Sequence, residues 1–189
     1  MKPEIQRAYD ALPTLQTPRL LLRVPRLEDL ESWSAFSADP IAAEHLGGVQ
    51  DRVAVFRSLA AITGCWLLRG FSMFSVIERS TGTWVGRVGP WMPEGWPGTE
   101  IGWGIVREAW GKGYGTEAAE ACLAFAFDEL GWTDVIHCIS PKNTRSQALA
   151  TRVGAKRRGT GTLPPPFHQD PIELWGQTRA EWAARVQAC

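Results

Sequence analysis

Hydrophobic positions along the chain change their repeat several times, and each change marks an element. The run Arg19–Val24 (RLLLRV), bounded by Pro18 and Pro25, predicts a first strand. Leu27, Leu30, Trp33 and Phe36 then recur at helical spacing as far as Pro40. Val53, Phe56, Leu59, Ala60 and Ile62 resume that spacing after Asp51, with Gly47-Gly48 as the break between two helices. From Phe71 the pattern becomes strand-like: Phe71–Glu78, Trp84–Trp91 after a Thr81-Gly82 turn, and Glu100–Val106 after a Pro- and Gly-rich link. These three form an antiparallel meander.

From Thr116 to Leu130 the period returns to helix. Ala119, Cys122, Leu123, Ala126, Phe127 and Leu130 make one stripe, with Glu117, Glu120 and Asp128 opposite, and Gly131 stops the helix. Asp134–Ser140 follows as a strand parallel to Glu100–Val106, so the two strands and the helix form a βαβ unit with right-handed crossover. Ser146–Val153 predicts a short helix closed by Gly154. Strands near Ala155–Gly159 and Ile172–Gln177 flank a Pro164-Pro165-Pro166 loop. The pattern gives a mixed α/β (α+β) domain over 1–189, with a central twisted mixed sheet of about six or seven strands flanked by about four helices. Residues 1–16 are an N-terminal extension and 179–189 a short C-terminal helix or tail.

Composition narrows the function. Apolar residues make up 44% and charged residues 21%, which is globular rather than disordered. Twenty basic residues balance twenty acidic ones, so there is no basic excess to hold nucleic acid or a strongly polyanionic acceptor. The N-terminus MKPEIQRAYD lacks the apolar run of a secretory peptide, and no stretch of about 18 apolar residues predicts a membrane span. Cys65, Cys122, Cys138 and Cys189 form no CxxC pair, which fits a reducing cytoplasm. His45, His137 and His168 form no metal-ligand spacing, so no metal is expected; His137, on an apolar strand, reads as a core residue. Ten tryptophans mostly fill the core, and a few suit the walls of a small-molecule cleft.

Chemistry concentrates in Glu100–Glu117, EIGWGIVREAWGKGYGTE, where a strand runs through a glycine-dense turn into a helix. Gly111, Gly113 and Gly115 let the backbone approach a ligand and adopt positive φ, while the helix N-terminus presents unpaired N–H groups and a positive dipole end. That is an anion nest, suited to a pyrophosphate. A P-loop fits poorly because Lys112 follows Gly111 without the four-residue spacer, and a GxGxxG dinucleotide fingerprint because, counted from Gly111, its last glycine position falls on Thr116.

The turn WGKGYGTEA, the helix ending FDELGW and the later PKNTRSQALATRVGAKRRG resemble the GNAT acetyltransferase superfamily, most closely its ribosomal-protein N-terminal acetyltransferase (RimJ/RimL-like) branch, over about Pro18 to Trp182. The resemblance implies a GNAT-like fold and acetyl-CoA as co-substrate. It places Gly111, Lys112, Gly113, Tyr114, Gly115 and Thr116 around the pyrophosphate. Ile105 and Val106 pair with the pantetheine arm through main-chain groups, Asn143 reaches that arm, and Ser146 lies near the sulfur. Asn143 also reads as a helix N-cap. Where many members place a tyrosine to protonate the departing thiolate, this chain has Ala150, which leaves Ser146 as the donor to sulfur.

The implied reaction is N-acetylation of a primary amine on a peptide or protein N-terminus or a small molecule. The amine must lose a proton, attack the thioester and have its oxyanion stabilised, for which the Val106 N–H is a candidate. Glu100 matches an acidic position of the resembling branch, and a carboxylate in an aromatic pocket has its pKa raised toward a useful base. The acceptor pocket is expected from loops near Ala38–Gln50, Trp91–Gly98 and Thr160–Asp170. A second reading, motivated by Ala150, is a catalytically weak CoA-binding sensor or partner-binding domain. A homodimer is compatible with either.

Overall fold

The computed structural model describes residues 2–187. Its strands are β1 (Leu15–Gln16), β2 (Leu20–Arg23), β3 (Phe74–Glu78), β4 (Trp84–Trp91), β5 (Glu100–Ile105), β6 (Asp134–Ile139), β7 (Lys156–Gly161) and β8 (Ile172–Thr178). Its helices are α1 (Pro3–Asp10), α2 (Leu30–Ala38), α3 (Pro40–Ala43), α4 (Arg52–Arg69), α5 (Tyr114–Ala124), α6 (Thr144–Arg152) and α7 (Arg179–Gln187). All eight strands join one sheet in the order β1-β2-β3-β4-β5-β6-β8-β7. Only β5 and β6 run parallel among the pairs; the others are antiparallel.

Each of the seven strands read from the pattern is present. The eighth, β1, is too short to show a period and exists because Leu15 and Gln16 pair with Leu22 and Leu21. The N-terminal extension is therefore partly sheet, preceded by a helix with no buried residue. Ala188 and Cys189, the end of the expected C-terminal tail, lie outside the described residues.

The sheet separates two apolar layers. On one side Leu20, Leu22, Phe74, Val76, Val88 and Ile101 pack on the Ala118, Ala119, Cys122 and Leu123 face of α5. On the other Met73, Ile77 and Trp84 meet Leu30, Trp33 and Phe36 of α2 and Val55, Leu59 and Ile62 of α4. Burial of this kind is the main stabilising term, at roughly 1.5–3 kcal/mol for each large apolar side chain. Helix α4 starts where Asp51 accepts the Ala54 N–H at 2.8 Å, and stops at Gly70 with φ 75°.

Helix α5 begins at Tyr114 rather than Thr116. Past Ala124 it widens into a π-helical turn at Phe125–Glu129, which keeps Phe125, Ala126 and Phe127 all buried before Gly131 ends it.

Candidate active site

The turn entering α5 has the form the glycines predict at two of three positions. Gly111 and Gly113 take left-handed φ of 76° and 80°, where a Cβ is costly. Gly115 corrects the expectation: it is helical, and its lack of a side chain serves packing, since a Cβ there would come within 2.7 Å of Leu149 Cδ1 on α6. Among the described residues, the first α5 N–H with a backbone acceptor is that of Glu117, bonded to Gly113 at 3.1 Å. The N–H groups of Tyr114, Gly115 and Thr116 are thus left for a ligand, and the cradle fits a pyrophosphate.

A side chain from the sheet braces this turn. Arg19 Nε bonds Glu117 at 2.6 Å, its Nη1 donates to the Lys112 carbonyl at 2.8 Å, and its guanidinium lies 4.8 Å from the Tyr114 ring centre. Burial would raise the Glu117 pKa, but hydrogen bonds from Thr17 and Arg19 hold it below the ordinary range. Lys112 contributes its backbone to the turn, while its side chain is exposed and outside the cleft lining.

Strands β5 and β6 pair at one register position, Glu100 with Ile136, and part beyond it. The edge of β5 facing the gap is set by alternation: the Thr99 carbonyl accepts from Ile136 at 2.9 Å and the Ile101 carbonyl meets His137 Nδ1 at 2.7 Å. Trp103 and Ile105 therefore present their main-chain groups to the gap. Val106 does not. Its N–H donates to Val85 at 2.9 Å and its carbonyl accepts from Ala109 at 3.0 Å, while its side chain packs on both apolar layers. This removes Val106 both as a pantetheine partner and as oxyanion donor, and leaves Ile105, whose carbonyl also takes the Trp110 indole N–H at 2.8 Å.

The ring of Trp103 lies beside His137, with ring centres 4.6 Å apart, and lines the cleft. A carbonyl only accepts, so the proton on His137 sits at Nδ1; burial pushes its pKa down to about 4, keeping the ring neutral. The core reading of His137 stands.

Asn143 caps α6 as expected, its Oδ1 accepting the Ser146 N–H at 3.1 Å, and both residues line the cleft. The Ser146 hydroxyl accepts the Trp103 indole N–H at 3.1 Å, which leaves its own proton free to be donated. Ala150 is fully buried against Ile139, Ala155 and Trp103, so the indole occupies space that a larger residue on α6 would need. Neither tyrosine is a free acid: Tyr114 donates to Glu78, and Tyr9 to the Pro25 carbonyl.

Glu100 opens β5 at 6% exposure. Burial lifts its pKa to about 6, against the opposing pull of hydrogen bonds from Cys138 and Trp96 and of the Arg87 charge. The Cys138 N–H donates to Oε1 at 3.0 Å, and Trp96, edge-on to Trp91, donates to Oε2.

The three expected acceptor loops touch one another, and Trp96 of the second reaches this carboxylate. Gly47 is close enough to Phe167 that a Cβ would stand 2.9 Å from its ring, and Gly95 lies against Pro164. His45 lines the cleft, whereas His168 is exposed on the proline loop. The cleft holds about 590 Å³ and is walled by the α5 turn, Ile105, Trp103, Asn143 and Ser146, with Ile41 and Leu46 opposite. Arg145 stacks over Trp110 at 4.2 Å on the same wall. Trp103, Arg145 and Arg19 were not singled out from the sequence; Arg19, beside Pro18 at the start of a strand, carried no local signal of its contact with a turn nearly a hundred residues away.

A sheet parted between two parallel strands, with a glycine turn at one side and a buried carboxylate at the other, defines an acyl-CoA-type transferase site. Residues 19–156 match the family model described as "Acetyltransferase (GNAT) domain", and the chain belongs to that family. It is an acetyl-CoA-dependent acyltransferase. It is 28% identical to the uncharacterized N-acetyltransferase p20 of Bacillus licheniformis over 149 residues, covering 77% of this chain and 84% of that one. An acetyltransferase from Agrobacterium tumefaciens superposes with a TM-score of 0.80 at 26% identity, over 89% and 96% of the two chains. RimJ of Mycobacterium smegmatis, solved in complex with CoA-disulfide, shares the fold at a TM-score of 0.69 and 19% identity, over 94% and 93%.

Proposed function

We propose that this protein acetylates a primary amine, on a peptide or protein N-terminus or on a small molecule, by direct attack on the acetyl-CoA thioester with Glu100 as base. The observation that carries the reading is the buried Glu100 carboxylate at the point where β5 and β6 part. Acetyl-CoA supplies the activated acetyl group. The main chain of Gly111, Lys112, Gly113, Tyr114, Gly115 and Thr116 holds its pyrophosphate, Ile105 and Asn143 orient the pantetheine arm, and Ser146 gives its free proton to the leaving sulfur. A carboxyl group of pKa about 6 is ionised at neutral pH yet basic enough to accept a proton from an approaching ammonium, directly or through water.

The reading is tested by following thiol release from acetyl-CoA against a panel of amines and N-terminal peptides. The expected result is saturable release that rises through pH 6 and levels off above it. Glu100→Gln should lower kcat by roughly 10²- to 10⁴-fold and abolish that limb, with CoA binding unchanged. CoA binding without release for any amine would reject the enzyme reading in favour of a CoA-sensing domain.

A further inference from the structure

On the α2 side of the sheet, Arg23, Ser75, Arg87 and Gly104 stand in one register row across β2 to β5. The two arginines of that row have opposite surroundings. Arg23 grips Asp29 with two hydrogen bonds, at 2.9 and 2.7 Å, and the Ser75 hydroxyl completes the carboxylate at 2.7 Å. Arg87 has no such partner among the described residues. Its Nη1 meets the Met73 sulfur, its guanidinium lies 5.6 Å from the Trp33 ring centre, and its Nε is shielded without an acceptor.

A thioether and an indole do not offset the desolvation of a guanidinium, and the burial is deep enough to push its pKa down to about 10. The side chain is nevertheless half-buried rather than sealed. A cation this deep is therefore still reached by solvent. The acetyl-transfer cleft begins on the neighbouring strand. Gly104, opposite Arg87, lines it. Gly102, next along the same face, is buried under Met73: a Cβ there would stand 2.6 Å from Met73 Cε and 3.8 Å from Glu100 Oε1. Glu100 is the acidic group nearest in effect, but Cys138 and Trp96 hold it away from ion-pair distance.

We infer that Arg87 is a specificity-determining residue that receives the carboxylate of the acceptor, so that the preferred substrates are amino-carboxylates, such as amino acids or short peptides with a free carboxylate, rather than simple amines. The assignment rests on the proposed amine acetylation, with the acceptor lying between Arg87 and Glu100. One unpaired guanidinium matches one carboxylate, which agrees with a chain lacking the basic excess needed for a polyanion.

The test compares free amino acids and dipeptides with their carboxamides in the thiol-release assay, for wild type, Arg87→Met and Arg87→Lys. Methionine keeps the volume beside Met73 and Trp33, and CoA binding reports that the fold is retained. Wild type should favour the carboxylates by roughly 10- to 100-fold in kcat/KM, expressed in KM. Arg87→Met should erase that preference while leaving carboxamide turnover within about twofold, and Arg87→Lys should restore part of it. Equal use of both forms by wild type, or an equal loss of both in Arg87→Met with a shifted pH limb, overturns the assignment; the second result would mean that Arg87 acts on Glu100 instead. Calorimetric titration of the same ligands into CoA-loaded protein reads the contrast without turnover. Carboxylate-selective binding without thiol release would sink the acetylation reading while upholding Arg87, and binding that ignores the carboxylate would sink Arg87.

Discussion

Glu100 and His137 are buried titratable groups on adjacent strands, and burial moves them in opposite directions, so they bias stability oppositely. Glu100 rises to about 6 in the fold, so the folded state prefers its proton. Its stabilising contribution is complete below the ordinary carboxylate pKa of about 4.5 and lost as pH rises through 6, a cost on the order of 2 kcal/mol at neutral pH. Glu100→Gln removes that cost, and its melting temperature at pH 7.5 is expected to exceed that of wild type by a few degrees while kcat collapses. A lower melting temperature together with unchanged kcat would contradict both the burial argument and the catalytic one. His137 falls to about 4, so the fold keeps it neutral while the unfolded chain protonates near 6.5. Its contribution is present above 6.5 and declines as pH falls toward 4, by roughly 3 kcal/mol in all. His137→Asn, which retains a donor for the Ile101 carbonyl, should melt lower than wild type at pH 7.5 but flatten the acid limb of melting temperature against pH. An unchanged limb would show that other groups drive acid unfolding. Glu100 was legible in the sequence because it opens a motif-bearing strand. Arg87 was visible only as a charge inside the apolar run WVGRVGPW. Its meaning lies in the absence of a partner, which no one-dimensional pattern records.

At the scale of elements, the anion-binding turn is a local device held by a distant one. Gly111 and Gly113 carry the backbone through left-handed conformations that their own sequence announces. The turn is steadied by Arg19, which reaches across from the start of β2 to Glu117 and the Lys112 carbonyl. Arg19 is about half exposed, so its ion pair contributes roughly 0–1 kcal/mol to stability. Arg19→Ala should therefore leave the melting temperature within about 3 °C of wild type, yet weaken CoA binding several-fold by calorimetry, because the turn loses its tether. Unaltered affinity would mean that the glycine turn is self-supporting. Gly115 teaches the complementary point: in sequence it looked like a third flexible hinge, but the approach of Leu149 on α6 gives it a packing role. Val106 likewise stood next to Ile105 as an equal candidate. The alternation of strand edges then turned its main chain inward to Val85 and Ala109.

For the whole molecule, the cleft joins β5, the α5 turn, α6, and α3 with the turn after it, so a ligand filling it ties together elements far apart in the chain. CoA at about 100 times its Kd should stabilise the fold by about 2.7 kcal/mol, or roughly 5–10 °C in melting temperature for a chain of this size. In Gly113→Val, which forces a β-branched residue into left-handed φ beside Arg19, that increment should vanish. A full increment in the variant would place the pyrophosphate elsewhere. What the sequence determined by itself is whatever repeats or stays contiguous: seven strands, the principal helices and the glycine turn, because side-chain period and backbone freedom are local properties. Tertiary structure alone decided the two-residue β1, the inward turn of Val106, the contact of Trp103 with His137, and the isolation of Arg87 among the described residues. Each depends on which strand edge or helix face arrives from far along the chain, and burial, pairing and desolvation are defined only after that meeting.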